Sequence, residues 1–478
     1  MSDDAFETVE EFAAEEERVE ERSREFKKEL GLTDLVFTQI LFIVGLPWVG
    51  VAAKQGPSHV VLWIAAAVLF YIPSAFVVIY LNRTMPLEGG VYQWAKLGFN
   101  DLVGFLVGWN LWLFAILNTS EIGLQMTQFI VYIAGPESQG LTENRLFIGA
   151  ANLIVICALV IITIIGLSVG KWVHKAGGAL MVITFATIVL LPILNWFNGT
   201  LTTSYRPVTF ELPVMSVMTF NLLGKMGFGA FGGFEYVAIH AGEALDPVRT
   251  IGRSVAIAAP VIALMFILGT SSVLMLVPQD QIDLIAPVPQ VLRVGFGPLG
   301  GVAAIGLLTV IALAGIRLAQ SSFSFGGVTR LPMVAGWDNL MPAWFTKLHS
   351  KYRTPVNSIL FVGAVTFFMS ILGLIGVGKQ EAFQILWNAS GLFYSLTYVV
   401  MFAIPIFGLR GAKEKPSAWL KLLAWSGFLM TLLYIALSVV PIINVDSPFA
   451  FAAKIGGLIV AANLVGVIIF ILPRKRMA

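Results

Sequence analysis

The chain has 478 residues, of which 57% are hydrophobic and 12% charged, with a formal net charge of +2. The charged share is about half that of ordinary globular domains, so a water-soluble fold would have too little polar surface to cover it. One cysteine, Cys157, and four scattered histidines (His59, His174, His240, His349) exclude an internal disulfide framework and a Cys/His metal site.

In chain order, residues 1–30 come first as an acidic tail: the first 29 carry 12 Asp or Glu and five Lys or Arg. A secretory signal needs a basic start before its apolar stretch, which this segment lacks. Its apolar residues are spaced out (Phe6, Val9, Phe12, Val19, Phe26). That pattern reads as a solvated, partly helical extension, with a regulatory or partner-binding role as the alternative. Twelve predominantly apolar segments follow, near 35–53, 59–82, 101–134, 145–168, 176–198, 215–243, 253–277, 299–326, 354–376, 382–408, 418–441 and 449–472. Each approaches the roughly 20 residues that a helix needs to cross a bilayer, and none alternates as a barrel strand would. With the N-terminus inside, the inward-facing stretches hold 22 of the 30 Lys and Arg residues. An even number of spans with both termini cytoplasmic fits that asymmetry. The expected organisation is a core over residues 31–408, containing helices 1–10, and helices 11–12 with a short basic C-terminus over 409–478.

Two spans are irregular. The first contains Val44-Gly45-Leu46-Pro47-Trp48, and the sixth a glycine run from Gly224 through Gly227, Gly229, Gly232 and Gly233 to Glu235. Glycine and proline weaken a helix, and backbone that leaves the helix inside hydrocarbon survives only around a cavity or within protein. Their separation by five spans predicts two inverted repeats, each opening on a discontinuous helix. Close packing of small residues is the structural alternative.

Ionisable side chains inside spans cost about 2.5–3.5 kcal/mol each on insertion scales and are functional candidates for that reason. They are Glu121, Lys225, Glu235, His240, Glu243 and Arg317. His240 and Glu243 lie near the end of their span and read as structural. Glu235 reads as facing a substrate amine, pairing with an unwound N–H, or relaying a proton. In the third span Asn110, Asn118, Glu121 and Gln125 share one helical face, which predicts a polar stripe toward the bundle interior. Glu121 is either a substrate group or half of a buried pair with Lys225 or Arg317. Arg317 either replaces a bound cation or serves as a counter-ion. Trp48, Phe228 and Phe231 are the aromatic residues expected near a pocket.

Four stretches resemble the amino acid–polyamine–organocation superfamily, and bacterial amino acid permeases in particular. They are MPLEGGVY at 85–92, FGGFEYVAIHAGEALDP at 231–247, SSFSFGGVTRLPMVAGWDNLMP at 321–342 and YRTP at 352–355. The resemblance implies an all-α integral membrane protein with twelve transmembrane helices and a LeuT-type 5+5 inverted repeat, working by alternating access. It implies a substrate cradled by helices 1, 3, 6, 8 and 10, with Glu235 matching the helix 6 glutamate and Phe231 or Phe228 as the gating aromatic. The family's Gly-Ser-Gly in helix 1 is replaced here by Gly45-Leu46-Pro47. That change removes a hydroxyl and an N–H donor that would bind a carboxylate. The Gly-x-Pro-aromatic pattern also resembles polyamine carriers. Some proton-coupled relatives place a lysine in helix 5, and residues 176–198 contain no Lys or Arg.

The expected function is therefore a secondary transporter for an amino acid or related amine in the cytoplasmic membrane, acting as symporter or antiporter. The alternatives are a polyamine or organocation carrier without carboxylate recognition, or a transport-dead sensor. An enzyme is not expected, because no metal-spaced cluster, P-loop or nucleophile elbow occurs. Expected substrate contacts are Val44, Gly45, Leu46, Pro47, Trp48, Asn118, Glu121, Phe228, Gly229, Phe231, Gly232 and Glu235. Expected ion-coupling residues are Glu235, Arg317, Ser321 and Ser322, serving H+ or Na+. No cofactor or metal is expected. The expected partners are the bilayer and a small amine substrate, not nucleic acid, and the oligomeric state is not legible.

Overall fold

A computed structural model describes residues 9–23, 28–134, 136–201, 203–206, 208–284, 286–299, 302–373, 379–409, 411, 414–441 and 447–477. Helix dominates them, and one isolated parallel bridge, Leu30 to Ala244, is the extent of β pairing among the described residues. Among those residues nine helices are long and apolar enough to cross a membrane. They correspond to expected spans 2–5, 7, 8 and 10–12. Of the other three, spans 1 and 6 are broken, and span 9 is the shorter helix Val356–Gly373.

The N-terminal half runs as follows. α1 (Val9–Ser23) is the tail helix. α2 (Leu32–Ile43) and α3 (Trp48–Ala53) are the two pieces of the first span, and α4 (Gly56–Thr84) is the second. α5 (Val91–Gly98) is buried along its whole length, and α6 (Asp101–Ser120) and α7 (Ile122–Ala134) make the third span. α8 (Arg145–Ile165) and α9 (Leu167–Phe197) meet at Gly166, whose φ of 83° makes the sharp reversal that glycine tolerates. The second half opens with α10 (Val217–Gly224), a π turn (Lys225–Ala230) and a 3-10 helix (Phe234–Glu243), followed by α11 (Pro247–Leu276) and α12 (Pro287–Phe296). α13 (Val302–Val328), α14 (Leu331–Trp337), α15 (Val356–Gly373), α16 (Lys379–Phe407), α17 (Ala418–Ser438) and α18 (Pro448–Met477) complete the chain. Helix starts are capped where the sequence offers an Asn or Ser. Asn100 Oδ1 accepts the Val103 N–H, and Ser216 Oγ accepts the Thr219 N–H.

Three expectations are corrected. The third span is not one rod: it turns at Glu121, and Asn152 of α8 takes the freed Gly123 N–H at 2.6 Å. A Cβ on Gly123 would sit 2.5 Å from Asn152, so the close approach needs glycine. The fifth span starts nine residues earlier than the hydropathy suggested, at Leu167 rather than 176. Its first turns tolerate charge because Lys171 pairs with Glu29 at 3.0 Å and Lys175 with Asp34 at 3.2 Å. The tail, finally, is not simply solvated. Phe12 and Val19 of α1 are buried, and Glu15 meets Lys96 Nζ at 2.8 Å. Lys96 is itself 1% exposed and also contacts Asp338 Oδ1 at 2.8 Å, and Arg18 reaches the same oxygen at 2.5 Å. Charge complementarity between an acidic helix and buried cations draws the tail onto the bundle. Window averages over a charged segment do not report such pairing.

On the same side of the bundle, Arg330 joins two carboxylates, Glu243 at 2.5 Å and Glu88 at 3.3 Å, and His240 Nδ1 lies 2.8 Å from Glu243. His240 and Glu243 thus belong to a buried structural cluster, where each charge is tolerated because its opposite is in contact.

Candidate substrate site between the two broken spans

The first break follows from Pro47. Val44 N–H still closes on Ile40 O at 3.1 Å, but Pro47 has no N–H to give, and the chain leaves the helix until Trp48 starts α3. Carbonyls at the end of α2 are left over. Gln320 of α13 supplies their donor: its amide nitrogen lies 2.7 Å from Leu41 O and 3.0 Å from Val44 O.

The second break falls at Gly232 and Gly233. Gly233 has φ 140°, and a Cβ there would lie 2.7 Å from Ile43 Cγ1, so both conformation and space require glycine. Its N–H donates to the Tyr398 hydroxyl at 2.6 Å. Tyr398 and Tyr394 in turn donate to the two carboxylate oxygens of Glu235, which is fully buried. Glu235 therefore sits behind two tyrosines rather than at an open surface, bonded to the phenols that hold the break.

The two breaks meet at Trp48. Cβ atoms built on Gly45 and Gly229 would each fall 2.5 Å from its indole, so one ring fills the gap between both glycines. Beside it lies a cavity of about 130 Å3. Gly45, Leu46, Pro47, Trp48, Asn118, Phe228, Gly229, Gly232 and Arg317 all line it. The other sequence candidates do not. Val44 is buried against the core. Phe231 stacks on Tyr71 at 4.2 Å, which leaves Phe228 as the helix 6 aromatic at the cavity. Ser322 Oγ is 3.3 Å from His174 Nε2, and Ser321 is buried with no hydrogen-bond partner for its hydroxyl. Glu121 is buried with no partner for either carboxylate oxygen. Lys225 instead lies 3.5 Å from Asn388 Oδ1, so a Glu121–Lys225 pair is not formed.

Sequence reasoning missed several walls: Phe114, Gln320, Trp387, Ser390 and Tyr394. Phe114 and Tyr394 stack at 4.1 Å, and Trp387 faces Trp48 at 5.9 Å. Two signals were available. Gln320 stands three residues after Arg317, on the same helical face, and Tyr394 and Tyr398 are spaced i, i+4 in the tenth span. The described residues contain no group of three or more His, Cys, Asp or Glu that could hold a metal.

The arrangement is a small chamber, with eight aromatic residues among its walls, at the crossing of two interrupted helices. A sequence profile described as "Amino acid permease" matches residues 30–462. The chain belongs to the amino acid permease family. This permease is 24% identical to an uncharacterized transporter of Legionella pneumophila, over 82% of its own length and 84% of that protein. It is 25% identical to the chloroplastic cationic amino acid transporter 7 of Arabidopsis thaliana, over 70% of this chain and 59% of that longer protein. It is 22% identical to a protein named as a probable agmatine/putrescine antiporter of Lactococcus lactis, over 77% of this chain and 78% of that one. The permease is thus an integral membrane protein of a transport family, and its relatives are transporters rather than enzymes. The family match covers the expected core and the first half of the last helix.

Proposed function

We propose that this permease is a secondary transporter that carries an amino acid or related amine across the cell membrane by alternating access. Its core over residues 31–408 would form the two inverted repeats, with helices 11–12 appended and both termini cytoplasmic. The observation that carries this reading is the cavity at the crossing of the two broken spans. Transport needs a ligand that stabilises outward and inward states differently, and interrupted helices supply hinges at the depth where the ligand sits.

The cavity approaches the engineered chamber of about 150 Å3 that holds benzene, which sets the scale of the solute at roughly six to eight non-hydrogen atoms. Its aromatic walls suit an ammonium group through cation–π attraction. The polyamine reading keeps one specific support: Pro47 removes a donor that a carboxylate would use, and one relative is named for agmatine and putrescine.

For coupling, protons are the better supported ion. The carbonyls at the helix 1 break already accept from Gln320, and Ser322 from helix 8 is engaged by His174. A sodium ion there would compete with both, and only the Ser321 hydroxyl of the expected serine pair is without a partner. Glu235, placed between the break and the cavity wall, is our proposed proton carrier. Uptake of labelled amino acids and polyamines into proteoliposomes tests the whole reading. Accumulation driven by an inward proton gradient and unchanged when potassium replaces sodium is the expected result. No uptake or exchange of any of these solutes would refute it.

A further inference from the structure

We propose that Arg317 is the carboxylate receptor of this site, so that the transported solute bears a carboxylate as well as an amine and simple polyamines are poor substrates. This rests on the transport reading above and names the class of solute within it.

Arg317 is the one charged side chain among the described residues that line the cavity. It is held rather than mobile: Nη2 donates to Asn118 O at 3.2 Å and reaches Asn118 Oδ1 at 3.4 Å, and Asn118 is itself part of the wall. Its Nε is buried with no hydrogen-bond partner. Glu121 is close enough to attract the guanidinium through space, yet the two make no hydrogen bond, and both Glu121 oxygens are left without a partner. The cation is therefore anchored but not saturated. A buried, unfilled donor is unfavourable unless something completes it, and a guanidinium fork matches a planar carboxylate.

Part of the backbone donor set that might otherwise hold a carboxylate is engaged elsewhere. Gly232 N–H closes on Phe228 O at 2.9 Å, Gly233 N–H donates to Tyr398, and Trp48 N–H bonds Gly45 O at 3.2 Å. Pro47 has none to give. Gly45 and Leu46, which also line the cavity, keep their N–H groups, and Arg317 on α13 adds to them the charged fork that pairs with a carboxylate. A diamine offers the Arg317 fork no carboxylate and so leaves its buried donor unfilled, which disfavours it against the matching amino acid.

The test is binding to the purified full chain by thermal shift, using pairs that differ only by the carboxylate: alanine and ethylamine, valine and isobutylamine, 2,4-diaminobutyrate and 1,3-diaminopropane. The expected result is that the acid binds about 10- to 100-fold tighter than its amine in at least one pair. In Arg317→Met that ratio falls to near one through weaker binding of the acid, with the amine unchanged, and Arg317→Lys retains part of it. The wild-type ratio stands even where the methionine variant does not fold. Amines that bind as tightly as their acids in every pair, or an Arg317→Met protein that keeps the ratio, would overturn the assignment and leave transport intact. A wild-type protein that binds no member of any pair would bring down the transport reading with it.

Discussion

The two breaks solve the same problem in opposite directions. At the first, surplus acceptors are left over, and a neutral donor, the Gln320 amide, comes from another helix to satisfy Leu41 O and Val44 O. At the second, a surplus donor is left over, and the acceptor is the Tyr398 hydroxyl, itself tied with Tyr394 to the buried Glu235. The first repair is uncharged and self-contained. The second ends in a carboxylate, whose bonds depend on whether it carries a proton. An interrupted helix thus needs a partner at each break, and only the second partner can change state with pH.

That asymmetry orders the predictions. Glu235→Gln should have the largest effect: transport falls at least about 100-fold in proteoliposomes while the protein still inserts, because the amide cannot accept both phenols and release a proton. Gly233→Ala comes next. Its Cβ would strike Ile43 at 2.7 Å, in a backbone conformation that L side chains rarely adopt. A loss of about 2–4 kcal/mol of stability should appear as a lower melting temperature together with poor uptake. Gln320→Leu should strand two buried carbonyls, costing about 1–3 kcal/mol, and should leave the pH profile of any residual transport unchanged. A shifted profile in that variant would mean that the first break also senses protons. The smallest effect belongs to Arg83→Ala, which removes an exposed 2.8 Å pair with Glu414 far from either break. Its melting temperature should move by no more than about 1 kcal/mol allows.

Much of this architecture was legible beforehand because its causes are local. Pro47 cannot donate an N–H, and Gly233 stands in a run that no stable helix would choose, so both breaks were visible as sequence. Phe228 and Phe231 are three residues apart on a distorted turn, and only the π turn decides that Phe228 reaches the cavity while Phe231 packs on Tyr71. The repairs were less visible. Gln320 and Leu41 are 279 residues apart, and Tyr398 and Glu235 are 163 apart. Such pairings follow from packing, which no window of sequence contains. The turn at Glu121 was hidden for the same reason, since the residue that satisfies it, Asn152, lies on the next span.

The most direct test of the central claim is to fill the chamber and ask whether the solute is evicted. Ser390 lines it and is buried, its hydroxyl donating to Phe114 O at 3.2 Å, and Ser390→Leu would give up that one bond and add several carbons at the wall. The account predicts a folded protein whose unliganded melting temperature is nearly that of the wild type and whose solute-induced stabilisation is lost. A leucine variant that folds and is stabilised by the solute as strongly as the wild type would place binding elsewhere and contradict it.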